Sequence, residues 1–186
     1  MARLPLLLTC AVAFLAGCGG APSPPPVERD EAPAPPPNAD VPPPLAKVRA
    51  QANELLGGGT PAVEERLAGL EGHPVVVNKW ASWCDPCRAE FPFFESQAQK
   101  RADEVAFLGL DSLDDDEAAA EFLESSPVPY PSYVDPDQEV SNDILGGTYS
   151  QPSTAFFDER GELIHVRQGG YASEEDLAAD IERYLE

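Results

Sequence analysis

The sequence predicts an α/β domain in which a central mixed β-sheet is flanked by helices. Strand-like and helical segments alternate through residues 75–135, and the two strand-like segments that follow residue 150 are joined by a tight turn. Parallel strands need crossover helices, whereas a tight turn joins antiparallel strands, so the sheet must contain both pairings. The order is βαβαβ, then an inserted element, then ββα, and an extension precedes the first strand.

Composition and punctuation residues set the individual elements. Short β-branched, aromatic or alternating runs predict strands at residues 75–80, 105–110, 131–135, 153–158 and 162–168. The last two form a hairpin about the turn Glu159–Gly161. Helical segments are predicted at 45–56, 61–70, 86–101, 117–124 and 174–185, and a helix or a turn at 137–145. Pro61 is expected to open the second helix, Pro92 to kink the third, and Ser173 to cap the last.

Residues 1–17 are predicted to be a lipoprotein signal peptide. Arg3 supplies a minimal positive charge, and Leu4–Ala16 form an apolar run that is too short to span a bilayer comfortably. The run ends in Leu-Ala-Gly-Cys18, which resembles a bacterial lipobox, so Cys18 is expected to carry the lipid. An ordinary secretory signal that contains a cysteine is the alternative, and the position of Cys18 makes it the weaker one.

Residues 18–44 are predicted to be a lipid-anchored, proline-rich linker. Residues 19–44 hold eleven prolines, which favour extended polyproline II structure and cannot form a core. At ~3.1 Å per residue the linker could reach on the order of 80 Å. A ligand for a proline-binding module is the alternative to this spacer. The folded domain is predicted to occupy residues 45–186.

The charge balance argues against two classes of partner. The 186 residues include 33 Asp and Glu against 12 Lys and Arg. Phosphate backbones would be repelled, so we expect no nucleic-acid partner. Adhesion to anionic membranes through basic patches is equally disfavoured. The acidity is interpreted as a source of solubility, and we expect a monomer.

Two of the four cysteines remain for the folded domain. Cys10 lies in the signal peptide and Cys18 at the lipobox, which leaves Cys84 and Cys87 and no thiols for a structural disulfide framework. The pair follows a strand and opens a helix, with Pro86 as an early helical residue. Unpaired N–H groups and the helix dipole stabilise a thiolate there. We therefore expect Cys84 to be the exposed nucleophile and Cys87 the resolving thiol.

Half of a zinc site is the alternative reading of this CxxC. Structural zinc needs four ligands, and only His73 and His165 could complete the set. Neither has ligand-like spacing. We therefore expect no metal at this CxxC.

The segment VVVNKWASWCDPCRAEFP resembles the active-site stretch of the thioredoxin superfamily, and more closely its TlpA/ResA-like branch of membrane-tethered bacterial thiol–disulfide oxidoreductases. The resemblance covers about residues 60–186. It implies the thioredoxin fold, with no cofactor beyond the redox-active Cys84–Cys87 pair. It also implies disulfide exchange with protein thiols on the extracytoplasmic side of a bacterial membrane. It also implies reduction of apocytochrome c or other secreted proteins, with electrons from a membrane thiol protein.

Four positions match the motifs of that branch. Asn78 stands where thioredoxin has a buried Asp, and Glu90 matches an active-site Glu of the branch. Pro92 matches the helix-kinking proline. Pro152 matches the cis-proline that faces the disulfide and helps to hold the substrate chain.

Two positions depart from the pattern, and three neighbours of the pair have expected roles. Lys79 stands where an aromatic residue is common, and Gln151, which the resemblance places against substrate, stands where Thr or an apolar residue is common. Trp83 is expected to shield the disulfide at the surface, whereas Trp80 is expected in the core. Asp85 is expected to be exposed and to act on the neighbouring thiol by its charge.

Three other functions compete with reduction. An oxidase of secreted thiols would share the fold and differ in redox potential. A peroxiredoxin would need Thr where Ala81 stands. A copper chaperone or non-catalytic binding lipoprotein would use CxxxC with a distal His, whereas this chain has CxxC.

A Cys18→Ser variant should lose its lipid, because the lipobox thiol is the attachment point. Detergent phase partitioning of the expressed protein measures this directly. Recovery of the variant in the detergent phase at the wild-type level would contradict the anchor.

Overall fold

The computed structural model describes residues 41–147 and 149–185. The predicted signal peptide, Cys18 and the linker up to residue 40 lie outside these residues. The helices are α1 Pro43–Arg49, α2 Gly59–Ala68, α3 Asp85–Lys100, α4 Asp116–Ser125, α5 Glu139–Leu145 and α6 Glu174–Leu185. The strands are β1 Leu55–Leu56, β2 Val75–Trp80, β3 Ala106–Ser112, β4 Ser132–Asp135, β5 Ser153–Phe157 and β6 Leu163–Gln168. Across this described part of the chain, every helix is too short or too polar to cross a bilayer.

The six strands form one mixed sheet in the order β1-β4-β3-β2-β5-β6. Strands β1 to β4 pair in parallel, whereas β5 pairs antiparallel with β2 and with β6. Every residue of β2 and β3 is buried, as expected of central strands covered on both faces. The predicted mixed sheet flanked by helices is confirmed.

The pairing directions bring three loops to one edge of the sheet. Strands β2 and β3 are parallel, and their last paired residues are Trp80 and Asp111, at or next to the end of each strand. Strand β5 runs the other way, so its first residue, Ser153, lies beside Lys79 near the end of β2. The loop after β2, the loop after β3 and the residues before β5 therefore meet at this edge.

An aromatic cluster fixes helices α3 and α4 against the sheet. Trp80, at the end of β2, lies with its ring centroid 5.0 Å from that of Phe91 and 5.5 Å from that of Phe122. The Phe91 and Phe122 centroids are 4.7 Å apart in an edge-to-face arrangement, which is favourable for aromatic pairs. All three rings are buried, so the prediction of Trp80 as a core residue is confirmed.

The N-terminal helices differ from their predicted bounds. Helix α1 begins at Pro43, inside the predicted linker, and ends at Arg49. The predicted helix over residues 50–56 is wrong, because Leu55 and Leu56 pair with β4 as an edge strand. Pro61 does not open α2, which begins two residues earlier at Gly59. Leucine has high helix propensity, and tertiary pairing overrides it here.

The C-terminal elements follow their predictions closely. Strands β5 and β6 form the predicted antiparallel hairpin, with a register shift at Phe156 and Phe157. The Ser173 Oγ accepts a hydrogen bond from the Asp176 N–H at 3.2 Å, which confirms the predicted N-cap of α6.

Helix α3 runs through Pro92 from Asp85 to Lys100.

A Gly109→Ala variant should lose about 1–3 kcal/mol of unfolding free energy, a typical cost of overpacking. The Trp80 Nε1–H donates to Ser132 Oγ at 3.0 Å directly beside Gly109. A methyl group at 109 would overlap Ser132 Oγ and lie 2.9 Å from Trp80 Nε1. Urea denaturation measures the loss. Gly57→Ala is the matched control, because nothing lies within 4 Å of its added methyl group, and equal stability losses in the two variants would contradict this packing.

Candidate active site

Strand β2 and helix α3 deliver the two cysteines to the shared sheet edge. Cys84 is the N-cap of α3, with extended backbone angles, and its Sγ accepts a hydrogen bond from the Cys87 N–H at 3.3 Å. Asp85 and Pro86 occupy the first turn. Cys84 and Cys87 form a disulfide with Cα atoms 5.2 Å apart, and both residues are buried. The predicted helix-start position of the pair is confirmed, whereas the expected exposure of Cys84 is wrong: the residue is only 4% exposed, because it packs at the start of α3 against the core.

Three predicted site residues, Pro86, Glu90 and Pro152, lie close to Gly170. The peptide bond between Gln151 and Pro152 is cis. A Cβ atom at Gly170 would lie 3.4 Å from Pro152 Cγ, 3.3 Å from Glu90 Oε2 and 3.7 Å from the Pro86 carbonyl oxygen. The fold therefore places Pro152, Glu90 and the first turn of α3 around one point. Sequence reasoning missed Gly170, and the Gly169-Gly170 pair after β6 was the available signal.

Glu90 lies one turn beyond Cys87 on α3 and is fully buried. Its Oε2 accepts a hydrogen bond from the Tyr171 N–H at 2.9 Å, and its Oε1 has no hydrogen-bond partner among the described residues. Burial raises the pKa of Glu90 to about 7, although the Tyr171 N–H and the charge of Arg167 act to lower it. Glu90 is therefore not a solvated surface acid. A carboxyl group with this pKa can exchange a proton near neutrality.

A second buried acid, Asp111, is the last residue but one of β3 and was missed by sequence reasoning. Burial, followed by the charge of Asp114 and a hydrogen bond with it, raises the pKa of Asp111 to about 8. Asp114 accepts hydrogen bonds from the N–H and the hydroxyl of Ser82, two residues before Cys84. An aspartate at the end of an apolar strand was the sequence signal. These acids join the β3–α4 loop to the cysteine loop.

Trp83 and Leu113 form an exposed apolar pair beside the disulfide. The Trp83 side chain is 59% exposed and Leu113 is 44% exposed. The Trp83 Nε1–H donates to the Leu113 carbonyl oxygen at 2.8 Å. Leu113 has φ of 59°, which is uncommon for a residue other than glycine. Trp83 is thus at the surface, as predicted, but its indole is held by the β3–α4 loop.

The remaining predicted neighbours have definite surroundings. Asp85 is exposed, as predicted. The Gln151 side chain donates from Nε2 to the Ser112 carbonyl oxygen at 2.6 Å, so its amide is bound within the protein. Asn78 is buried, and neither polar atom of its side chain has a hydrogen-bond partner among the described residues.

The histidines lie in separate settings. His165 stacks on Tyr184, with ring centroids 4.2 Å apart, and His73 is half-buried after α2. Within residues 41–147 and 149–185, no three His, Cys, Asp or Glu side chains are grouped closely enough to hold a metal ion.

A cysteine pair across a helix start, next to a cis-proline on this sheet, defines a thioredoxin-like protein. The Redoxin family model matches residues 48–181, and the chain belongs to that family. The predicted resemblance to the thioredoxin superfamily is thereby confirmed.

Two relatives are named as thiol–disulfide exchange proteins. The chain is 34% identical over 111 residues to thiol:disulfide interchange protein DsbE of Pasteurella multocida, covering 58% of this chain and 59% of the relative. It is 31% identical over 107 residues to thiol-disulfide oxidoreductase ResA of Oceanobacillus iheyensis, covering 56% and 54%. The chain thus spans somewhat more than half the length of these relatives. The structure of MTB DsbF is similar with a TM-score of 0.55 and 32% identity, over 61% of this chain and 82% of DsbF.

The unfolding free energy should fall as the pH rises from 5 to 8, in part because of Glu90. Its folded pKa of about 7 lies above the ordinary value of 4.5. The stabilisation is therefore complete below pH about 4.5 and is lost as the pH rises through about 7. The Glu90 contribution to this loss is about 2–3 kcal/mol.

Urea denaturation of Glu90→Gln at pH 5 and pH 8 tests this, since the variant should lose that much less stability between the two pH values. Glu64→Gln, at an exposed position of α2, is the control and should behave like the wild type. A wild-type pH dependence in Glu90→Gln would show that Glu90 does not carry the effect.

Proposed function

We propose that this protein is an extracytoplasmic thiol–disulfide oxidoreductase that reduces disulfides of other proteins through Cys84 and Cys87. One observation carries the proposal: Cys84 caps the helix that bears Cys87, and a buried acid with a pKa of about 7 lies one turn further along. The DsbE and ResA names of the relatives support the same activity.

The first step is attack by Cys84. In the reduced protein its thiolate is favoured by the N–H groups and dipole at the start of α3. The thiolate attacks one sulfur of the substrate disulfide. A bond forms between Cys84 Sγ and that sulfur, and the other substrate sulfur leaves as a thiolate that takes a proton.

The second step is resolution by Cys87. Glu90, one turn away, accepts the Cys87 proton as that thiol attacks Cys84 Sγ. The Cys84–Cys87 disulfide forms, and the bond between Cys84 and the substrate breaks. The substrate sulfur that was bonded to Cys84 leaves and takes up a proton. The substrate has gained two electrons and two protons, and the pair is oxidised. A membrane thiol protein is the donor that would return the pair to its dithiol form.

The neighbouring residues have roles in substrate engagement. Pro152 and the main chain of Gln151 would hold the substrate polypeptide beside the cysteines, as the resemblance implies. Exposed Trp83 would cover the disulfide from solvent, and Pro86 would set the first turn of α3. Cys18, outside the described residues, would hold the protein at a bacterial membrane, with the linker as spacer.

Reduction is favoured over oxidation by the carboxyl groups around the pair. A negative charge near a thiol raises its pKa, and a less stable thiolate makes the couple more reducing. Asp85 is adjacent to Cys84, and Glu90 is three residues beyond Cys87. Because the pKa of Glu90 is about 7, its charge, and hence its effect on the thiols, increases through neutral pH. A thiol oxidase with the same fold is the alternative.

The reduction potential of the pair should lie nearer to the roughly −270 mV of thioredoxin than to the roughly −120 mV of DsbA. Equilibration with dithiothreitol buffers, followed by alkylation and mass measurement, gives the value. A potential above about −180 mV, typical of protein disulfide isomerase, would favour the oxidase instead.

A Cys87→Ser variant should capture its partner as a mixed disulfide with Cys84, since the resolving thiol is missing. Cys84→Ser, with its partner cysteine intact, is the control and should capture little. Equal capture by both variants would contradict the assignment of Cys84 as the attacking thiol.

A further inference from the structure

Lys79 carries an ionisable side chain on β2, a central strand of the sheet. It lies on β2 between Leu110 of β3 and Ser153 of β5, and it is completely buried. Removing an ammonium group from water is costly unless it gains strong partners. Burial lowers the pKa of Lys79, whereas the negative charge of Asp135 raises it. An apolar residue at this position would avoid the cost, so the contacts of Lys79 need an explanation.

Those contacts join β2 to both sides of helix α5. The Lys79 Nζ donates to Gln138 Oε1 at 2.8 Å and to the Tyr149 carbonyl oxygen at 2.5 Å. Gln138 is the residue before α5, and Tyr149 follows it. The inserted segment, from Gln138 to Tyr149, is therefore bound at its two ends by a single ammonium group. That group lies on the strand that leads to Cys84.

Buried Asp135 supports the same arrangement from β4. Its carboxylate accepts hydrogen bonds from the N–H groups of Val140 and Ser141 at the start of α5, and from the Ser112 hydroxyl. Its negative charge favours the protonated form of Lys79. The charges at the base of the inserted segment are thus balanced by opposite charges or by hydrogen bonds.

The residues that lead to the cis-proline are anchored again at the end of β3. Gln151 donates from Nε2 to the Ser112 carbonyl oxygen at 2.6 Å. The Ser153 hydroxyl donates to the Ser150 carbonyl oxygen at 2.7 Å. Residues 149–152 are therefore tied to β2 by Lys79 and to β3 by Gln151. These are the two positions at which the sequence departs from the family pattern.

We propose that Lys79 is a positioning residue that holds the segment 149–152, and with it Pro152, at a fixed place for polypeptide substrates. Gln151 is the second anchor of the same segment. A polypeptide must align along this segment to bring its sulfur to Cys84, whereas a small disulfide needs only the cysteines. The inference rests on the disulfide exchange proposed above and holds for either direction of that reaction.

A Lys79→Met variant tests the proposal, because methionine keeps an apolar chain and removes both hydrogen bonds. With a synthetic peptide disulfide as substrate, kcat/KM should fall about tenfold, mainly through a rise in KM. With oxidised glutathione, the rate of oxidation of the dithiol should stay within about twofold of wild type. Lys47→Met, at an exposed position of α1, is the matched control and should leave both rates unchanged.

Amide hydrogen exchange gives a second measurement that does not depend on catalysis. In Lys79→Met the Gly169 amide, which donates to the Pro152 carbonyl oxygen at 2.9 Å, should exchange about tenfold faster, with little change in β2. If this variant fails to fold, Gln138→Gly removes one partner of Lys79 and suits the positive φ of 64° at that position. It should raise the KM for the peptide with a smaller effect.

The outcomes separate the two proposals. Equal losses with peptide and glutathione, or unchanged exchange of the Gly169 amide, would overturn the positioning role of Lys79. If the wild-type protein reacts with glutathione but with no peptide or protein disulfide, the proposed function is wrong. The amide-exchange measurement would then still test whether Lys79 holds the segment 149–152 in place.

Discussion

The antiparallel pairing of β5 with β2 is the constraint on which the site depends. Because β2 and β3 run in parallel, the cysteine loop and the β3–α4 loop lie at one edge. Because β5 runs the opposite way, it begins where β2 ends. Pro152, just before β5, therefore lies at the site although it is far from Cys84 in the sequence. Reversing that single pairing would place the proline at the opposite edge of the sheet, far from Cys84.

Burial away from water then sets the protonation of the acids near the cysteine pair. The chain has an excess of acidic residues, and most of those that the structure describes are exposed. Glu90 and Asp111 differ because the fold buries them, and burial is the first cause of the rise in both pKa values. Two acids that would be fully ionised in water thereby titrate near neutral pH. Their behaviour is a property of the packing around α3 and β3, not of the residue types.

Local patterns in the sequence were sufficient for much of this structure. The position of Cys84 and Cys87 at a helix start follows from a β-branched strand and a nearby proline, and Ser173 carries its own capping signal. Leu55–Leu56 could not be predicted, since their strand exists only through pairing with distant β4. The burial of Lys79 and the convergence at Gly170 likewise depend on contacts between residues far apart in the chain. No local pattern encodes such contacts.

The hydrogen bond between Trp83 and residue 113 uses the main-chain carbonyl of Leu113, not its side chain. Every amino acid supplies that carbonyl, so the indole can stay in place whatever side chain stands at 113. Position 113 is consequently a place where the surface beside the disulfide could diversify during evolution, or be redesigned to choose new partners, while the reactive framework stays the same. The positive φ at position 113 limits which residues fit there, since glycine, asparagine and aspartate adopt this backbone conformation best.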